Sequence, residues 1–489
     1  MTNDTEVGLG RRAARGALVT VGAQGARILL QLASVVVLAR LLTPHDYGLV
    51  AMVVALVGVG EILRDFGLSS AAVQAATLSN AQRTTLFWLN AAIGLALGLA
   101  VFLLAPLIAA VYDEPDLVPI ARALAAGFLL NGLATQYRAS LVRDLRFGAL
   151  ARTDVIAAAI ALATAIAGGL LGLGYWALVA QQLAQALALL TLLAIAARWL
   201  PGIPRRSTQI RGLIGFGGNV VLSQLIGYAS NNLDSLVIGI RFGAGPLGIY
   251  SRAFQLLMTP LNQVRSPLTS VALPVLSRLA VDAPRFDRFV VLGQLALGYT
   301  LVAGLGIVVG AAEPLTHVLL GEQWNAASPI LRLLAVAGIF QTLAFVGYWV
   351  YLARGLTRDL VRYSLVSSVI RIACILIGSL GGVVGVAWGY AIAPAIAWPV
   401  SLWWLSSRTS LPTRRLYAGA GRVLLTVSLA AAAAWGASTA AATLGSIVQL
   451  AAATGAAAAS YGVFCLVPML RRDILAVITV ARLLPSRAR

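Results

Sequence analysis

Residues 17–41 read ALVTVGAQGARILLQLASVVVLARL, an apolar run of membrane-spanning length with Arg27 near its middle. Gln24, Arg27, Gln31 and Ser34 recur at i, i+3, i+7 and i+10, which places them on one stripe of a helix. A guanidinium at bilayer depth costs about 2.5–3.5 kcal/mol on insertion scales. A helix that carries one there must turn the stripe towards protein or water rather than lipid. The run therefore predicts a membrane protein with a polar interior, and an interior that handles something charged.

The rest of the chain agrees. It has 489 residues, 60% hydrophobic and only 11% charged, with mean hydropathy +0.88, a composition that excludes a soluble domain of this size. Arg11, Arg12 and Arg15 precede the first apolar run as in a signal peptide, but the run is too long and leads straight into a second, so a retained first helix is expected. The +19 formal charge comes from arginine alone, since lysine is absent. Those arginines are spread over short loops, which fits a positive-inside topology better than nucleic-acid binding. Cys374 and Cys465 lie far apart inside apolar stretches, which argues against a disulfide framework or a metal site.

Hydropathy gives fourteen candidate spans: 17–41, 47–66, 86–111, 117–139, 150–172, 174–197, 213–240, 246–275, 288–312, 327–352, 360–380, 383–406, 419–442 and 445–468. Alternate loops carry the arginines (among them Arg83, Arg143, Arg146, Arg205, Arg206, Arg278, Arg354 and Arg414), whereas Asp113, Glu114, Asp116, Glu313 and Glu322 fall in the others. That asymmetry predicts both termini in the cytoplasm. The halves also echo each other at a displacement of about 200 residues: Gln24 with Gln224, Ser34 with Asp234, and Tyr47-Gly48 with Leu247-Gly248. Six spans separate the copies, so the repeat is of the parallel kind, with a central site between two lobes. The fold class expected is all-α integral membrane, with fourteen transmembrane helices in two parallel six-helix repeat lobes around a central cavity, plus two C-terminal helices. Residues 1–200 form the N-terminal lobe, 201–410 the C-terminal lobe, and 411–489 the two additional helices and a basic cytoplasmic tail.

Other spans carry polar stripes too. Asn231 and Asp234 continue the one begun by Gln224, and Arg252, Gln255, Thr259, Asn262 and Arg265 recur at three- and four-residue steps in the next span. Glu61, Arg64 and Asp65 close the second span. Arginine suits phosphate or carboxylate because its planar fork donates two parallel charge-assisted hydrogen bonds. Candidate substrate-binding residues are therefore Arg27, Gln24, Gln31, Asn231, Arg252, Gln255, Asn262 and Arg265. Asp234 and Glu61 stand at the depth for carrying protons or sodium, or else neutralise neighbouring arginines. Arg371, deep in its span, has no evident partner in the sequence.

The words between these stripes resemble those of the bacterial polysaccharide-export flippases, the O-antigen and exopolysaccharide branch of the superfamily that includes multidrug antiporters and the lipid II flippase. They are residues 39–48 (ARLLTPHDYG), 174–179 (GYWALV), 232–239 (NLDSLVIG), 247–253 (LGIYSRA) and 320–324 (LGEQW), a set covering about residues 8–410. The resemblance implies a multi-pass protein of the bacterial inner membrane that alternates between inward and outward states. Its substrate would be a polyprenyl-pyrophosphate-linked oligosaccharide carried to the outer leaflet, with polysaccharide-assembly proteins as further partners. It makes Arg27, Arg252 and Arg265 candidates for the pyrophosphate or acidic sugars and Asp234 a candidate coupling residue. A sugar head cannot cross about 30 Å of hydrocarbon unaided, whereas its lipid tail stays in the bilayer. With no phosphate-gripping loop and no lysine, energy must come from an ion gradient or from consumption of the product.

Two rivals follow from other features. An ion-coupled multidrug antiporter needs an acidic cavity, and here arginine dominates. A membrane polysaccharide polymerase or ligase needs catalytic groups on a sizeable external loop, and the only histidines are His45 and His317. No cofactor, no metal and no catalytic residue is expected.

Overall fold

The computed structural model describes residues 2–65, 79–203 and 211–483, and these contain helices and no strand. Two compact units divide the chain between Gly248 and Ile249. The first holds α1 (Thr2–Leu41), α2 (Pro44–Asp65), α3 (Asn80–Tyr112), α4 (Leu117–Arg143), α5 (Phe147–Leu170), α6 (Tyr175–Ala197) and α7 (Arg211–Phe242). α8 (Ala244–Leu279) starts at its boundary and runs into the second unit.

Local signals set the breaks. Thr43 and the Asp46 carboxylate bond each other across the α1–α2 turn, where the Thr43 N–H donates at 2.9 Å. Ser79 and Gln82 exchange side-chain and backbone bonds in a capping box that opens α3. In an all-apolar medium every backbone group must find its partner within the chain, which is why such long runs can only be helices.

Within the first unit, α1 packs on α5, with Val35, Leu38 and Ala39 buried. The start of α2 crosses the start of α8 closely enough to exclude side chains. A methyl built on Gly48 would overlap the Ala244 carbonyl, and one built on Gly248 would overlap the Pro44 carbonyl. Thus two glycines paired by the 200-residue echo seal one reciprocal backbone contact. Tyr228 of α7 donates its hydroxyl to the Val54 and Ala55 carbonyls of α2. α7 packs with α2 and so belongs to the first compact unit.

The second unit continues with α9 (Ala283–Leu297), a π-helical turn (Gly298–Val302), α10 (Ala303–Gly310), α11 (Ala312–Leu319), α12 (Ala327–Ala353), α13 (Thr357–Gly378), α14 (Gly382–Arg408), α15 (Thr413–Ala440), α16 (Ser446–Phe464) and α17 (Pro468–Leu483). α12 is its core, with most residues buried, from Ala327 to Tyr351. α17 is short and amphipathic; Asp473 fastens it by accepting from Arg422 Nε of α15 at 2.8 Å and from the Tyr299 hydroxyl of the π turn at 3.3 Å.

Among the described residues, eleven helical stretches are long and apolar enough to cross a membrane; one of them, Thr357–Arg408, contains both α13 and α14. α7 and α8, which carry Asp234, Arg241, Arg252 and Arg265, are not among the eleven. Arg205 and Arg206, read above as loop arginines, and the side chain of Gln224 lie outside the described residues.

Candidate functional site

Arg265 is the most informative side chain in the second unit. Although only 6% exposed, it has no carboxylate partner among the described residues. Its guanidinium donates instead to four neutral acceptors: the Gly338 carbonyl at 2.9 Å, Thr342 Oγ1 at 2.6 Å, Gln341 Oε1 at 3.1 Å and Asn262 Oδ1 at 3.4 Å. Three of these come from α12, so two helices hold the fork in place. Neutral dipoles orient a cation but leave its charge uncompensated, and a buried charge in that condition costs several kcal/mol. A ligand anion would supply the missing charge.

Space for one lies alongside. Asn262, Arg265, Thr269, Ser270, Leu273 and Pro274 of α8 face Phe345 and Tyr348 of α12 across an open-sided cleft of about 710 Å³. That is the size of a small-molecule site. The Arg265 guanidinium carbon lies 6.0 Å from the Phe345 ring centroid, and Phe345 and Tyr348 stack at 6.0 Å with planes 23° apart. Thr269 is fixed by the Trp349 indole N–H, which donates to its hydroxyl at 3.1 Å. Behind the cleft the Gln341 amide donates to the Tyr390 hydroxyl at 3.4 Å, and Arg371 lies over the Tyr390 ring at 5.9 Å. The arginine that lacked an account in the sequence has an aromatic neighbour.

Of the sequence candidates, the cleft brings together Asn262 and Arg265. Arg252 is buried and Gln255 half-buried on the same helix, but neither lines the cleft. At 100° per residue, Arg252 points about 140° around α8 from Arg265, because a pattern of threes and fours drifts over thirteen residues. In the first unit, Arg27 is exposed, on the face of α1 that is buried near Leu38, and Leu29 is exposed on the opposite side. Ser34, on that same face as Arg27, accepts from Gln181 of α6 at 3.0 Å. Gln24 and Gln31 are half-buried and engaged, Asn231 is exposed, and Asp234 is 2% exposed and engaged. Glu61 is half-buried, paired with Arg64 and accepting from the Asn131 amide at 3.3 Å. These residues belong to the first unit.

Sequence reasoning missed Gln341, Thr342, Phe345 and Tyr348. The signal was present as Gln341, Phe345 and Tyr348 at i, i+4 and i+7, one stripe of α12. Among the described residues no three His, Cys, Asp or Glu side chains cluster as metal ligands would.

A model of the polysaccharide biosynthesis protein family matches residues 37–329. The chain is 26% identical over 373 residues to the lipopolysaccharide biosynthesis protein WzxC of Escherichia coli K12, covering 75% of each chain. It is 28% identical over 353 residues to the teichuronic acid biosynthesis protein TuaB of Bacillus subtilis 168, covering 71% of this chain and 72% of that one. Among solved structures, the lipid II flippase MurJ in an inward closed conformation matches 94% of this chain and 100% of its own, with TM-score 0.71 at 15% identity. An inward-facing multidrug resistance MATE family transporter matches 82% and 98%, with TM-score 0.58 at 17% identity. At such identities the likeness is one of fold. With more than half of its length matched by the family model, the chain belongs to the polysaccharide biosynthesis protein family, as a multi-pass helical membrane protein.

Proposed function

We propose that the protein is a flippase that moves a polyprenyl-pyrophosphate-linked oligosaccharide from the inner to the outer leaflet of the bacterial inner membrane by alternating access, for cell-surface polysaccharide biosynthesis. The observation that carries this reading is Arg265: a buried cation with only neutral acceptors, beside a cleft wide enough for a sugar headgroup. Membership of a polysaccharide biosynthesis family and a fold like that of a lipid flippase support it.

In this reading the fourteen spans form two repeat lobes around a central path, with both termini cytoplasmic. Arg265 and Asn262 meet the anion, while Arg27, Arg252, Gln24, Gln31, Asn231 and Gln255 serve the same path at other stages. Polar groups along it replace water around the head while the polyprenyl tail remains in lipid. Glu61, tied to Arg64 and Asn131, neutralises its neighbours; Asp234 is the residue through which a proton or sodium ion would couple. The antiporter alternative wants carboxylates where the second unit offers guanidiniums, and cationic cargo would be repelled there.

Outer-leaflet exposure of labelled lipid-linked oligosaccharide in reconstituted vesicles tests the proposal, with Arg265→Gln and Arg252→Ala alongside the native chain. Exposure that depends on the protein and falls in Arg265→Gln is expected. Drug efflux with no movement of glycan would overturn it.

A further inference from the structure

Tyr348 is the outlier of its helix. α12 is the most buried helix of the second unit, yet Tyr348 is 40% exposed and is the only large hydrophobic residue on α12 that is. It lines the open-sided cleft. Gln341, seven residues back on the same stripe, bonds Arg265, and Phe345 between them lies over the guanidinium. The stripe thus passes from charge to covered ring to open ring along one wall of the cleft. Because Phe345 backs Tyr348 in a stack, the open ring is held at a fixed tilt. The facing wall presents Asn262, Thr269 and Ser270, an amide and two hydroxyls.

This sequence of groups is what a glycoside needs. One face of a pyranose is a patch of C–H bonds, which packs against the electron-rich face of an aromatic ring, while its hydroxyls lie at the edge and seek amides and hydroxyls. An anion attached to that sugar would reach the fork of Arg265. Building on the proposed function, we infer that Phe345 and Tyr348 form a stacking platform for a pyranose ring whose phosphoryl or carboxylate substituent is held by Arg265, so that the cleft recognises the sugar and not the lipid phosphate alone. Phe345 is a positioning residue, since it acts by holding Tyr348; Tyr348 makes the contact.

Equilibrium binding to the purified full-length protein in detergent tests this with three probes: polyprenyl pyrophosphate, the same lipid bearing one hexose, and a soluble methyl glucuronide. The native protein should prefer the hexose-bearing lipid over the bare lipid by about tenfold, the worth of one good ring contact. In Tyr348→Ala the ratio of the two affinities should fall to about one, and Tyr348→Phe, which keeps the ring, should restore it. Glucuronide binding that is lost in both Tyr348→Ala and Arg265→Gln would support the platform and assign the charge to a carboxylate; a hexose preference among the lipid probes that is lost in Tyr348→Ala, with no glucuronide binding, would support it and assign the charge to phosphate. A preference that survives in Tyr348→Ala, or equal weakening of bare and glycosylated lipid, would overturn the platform while leaving the flippase reading intact. If the native protein bound none of the three, both would fall.

Discussion

Arg265→Met separates a binding arginine from a structural one. Removing the guanidinium takes away four hydrogen bonds, each worth about 1.5–3 kcal/mol when one partner is charged. It also removes a buried cation whose desolvation costs several kcal/mol. Two of the acceptors left behind are provided for: the Thr342 hydroxyl donates to the Gly338 carbonyl at 2.6 Å, and Asn262 is exposed; Gln341 Oε1, half-buried at the cleft, loses its donor. The two contributions have opposite signs, so the variant should lose much less stability than the four bonds taken alone would suggest. Binding should behave otherwise. Truncating one member of a buried charge pair costs about 2–5 kcal/mol, so affinity for an anionic headgroup should fall about thirtyfold or more. Arg265→Lys, which keeps the charge but not the fork, should fall between the two.

The assay pairs thermal unfolding in detergent with outer-leaflet exposure of glycan in vesicles. A limited loss of stability with transport lost is the expected combination. A variant that unfolds far more readily yet, once folded, exposes glycan at the native rate would make Arg265 a strut between α8 and α12, and the reasoning would be refuted.

Three further outcomes are expected. Gly48→Val drives a branched side chain into the Ala244 carbonyl, an obstacle of backbone that no rotamer change can clear; overpacking of this kind costs about 1–3 kcal/mol, so thermal unfolding should shift to lower temperature. Asp234→Asn should abolish any response of transport to an imposed proton or sodium gradient, whereas Glu61→Gln should keep that response and change stability by under about 1 kcal/mol, its pair with Arg64 being partly exposed. In Asp473→Ala, Arg422 and Tyr299 lose their shared acceptor, and amide hydrogen exchange across Pro468–Leu483 should quicken while exchange in α12 stays as it was.

The helical membrane fold was legible because one property decides it: apolar runs long enough to cross hydrocarbon must satisfy their own backbone. The site was legible only in part. Arg265 and Asn262 stood out because charge and amide are costly in lipid wherever the chain goes. Arg252 was read on the same stripe, but three- and four-residue steps do not close on 3.6, and the helix carries the two arginines to different sides. Phe345 and Tyr348 share a stripe with Gln341, but an aromatic residue in an apolar run is usually core or lipid contact; the bond that Arg265 donates to Gln341 is what singles out their wall. The interruption of the ninth span by a π turn, and the clasp of α17 onto it through Asp473, depend on contacts between residues far apart in sequence.

The distribution of charge gives these observations a direction. In the first unit two acids have basic company: Glu61 pairs with Arg64, and Asp154 of α5 with Arg138 of α4. In the second unit Asp282, Asp287, Glu313, Glu322 and Asp359 all stand at or near helix starts, and Asp473 is spent on Arg422. The charges set deep in its helices, Arg252, Arg265 and Arg371, are all positive. Arg265, held at depth by neutral acceptors, makes this part of the protein less stable empty than filled, because an arriving anion removes a cost the fold otherwise bears. Binding of a negatively charged head should therefore stabilise the second unit itself, and a neutral analogue of the same shape at the same concentration should stabilise it less.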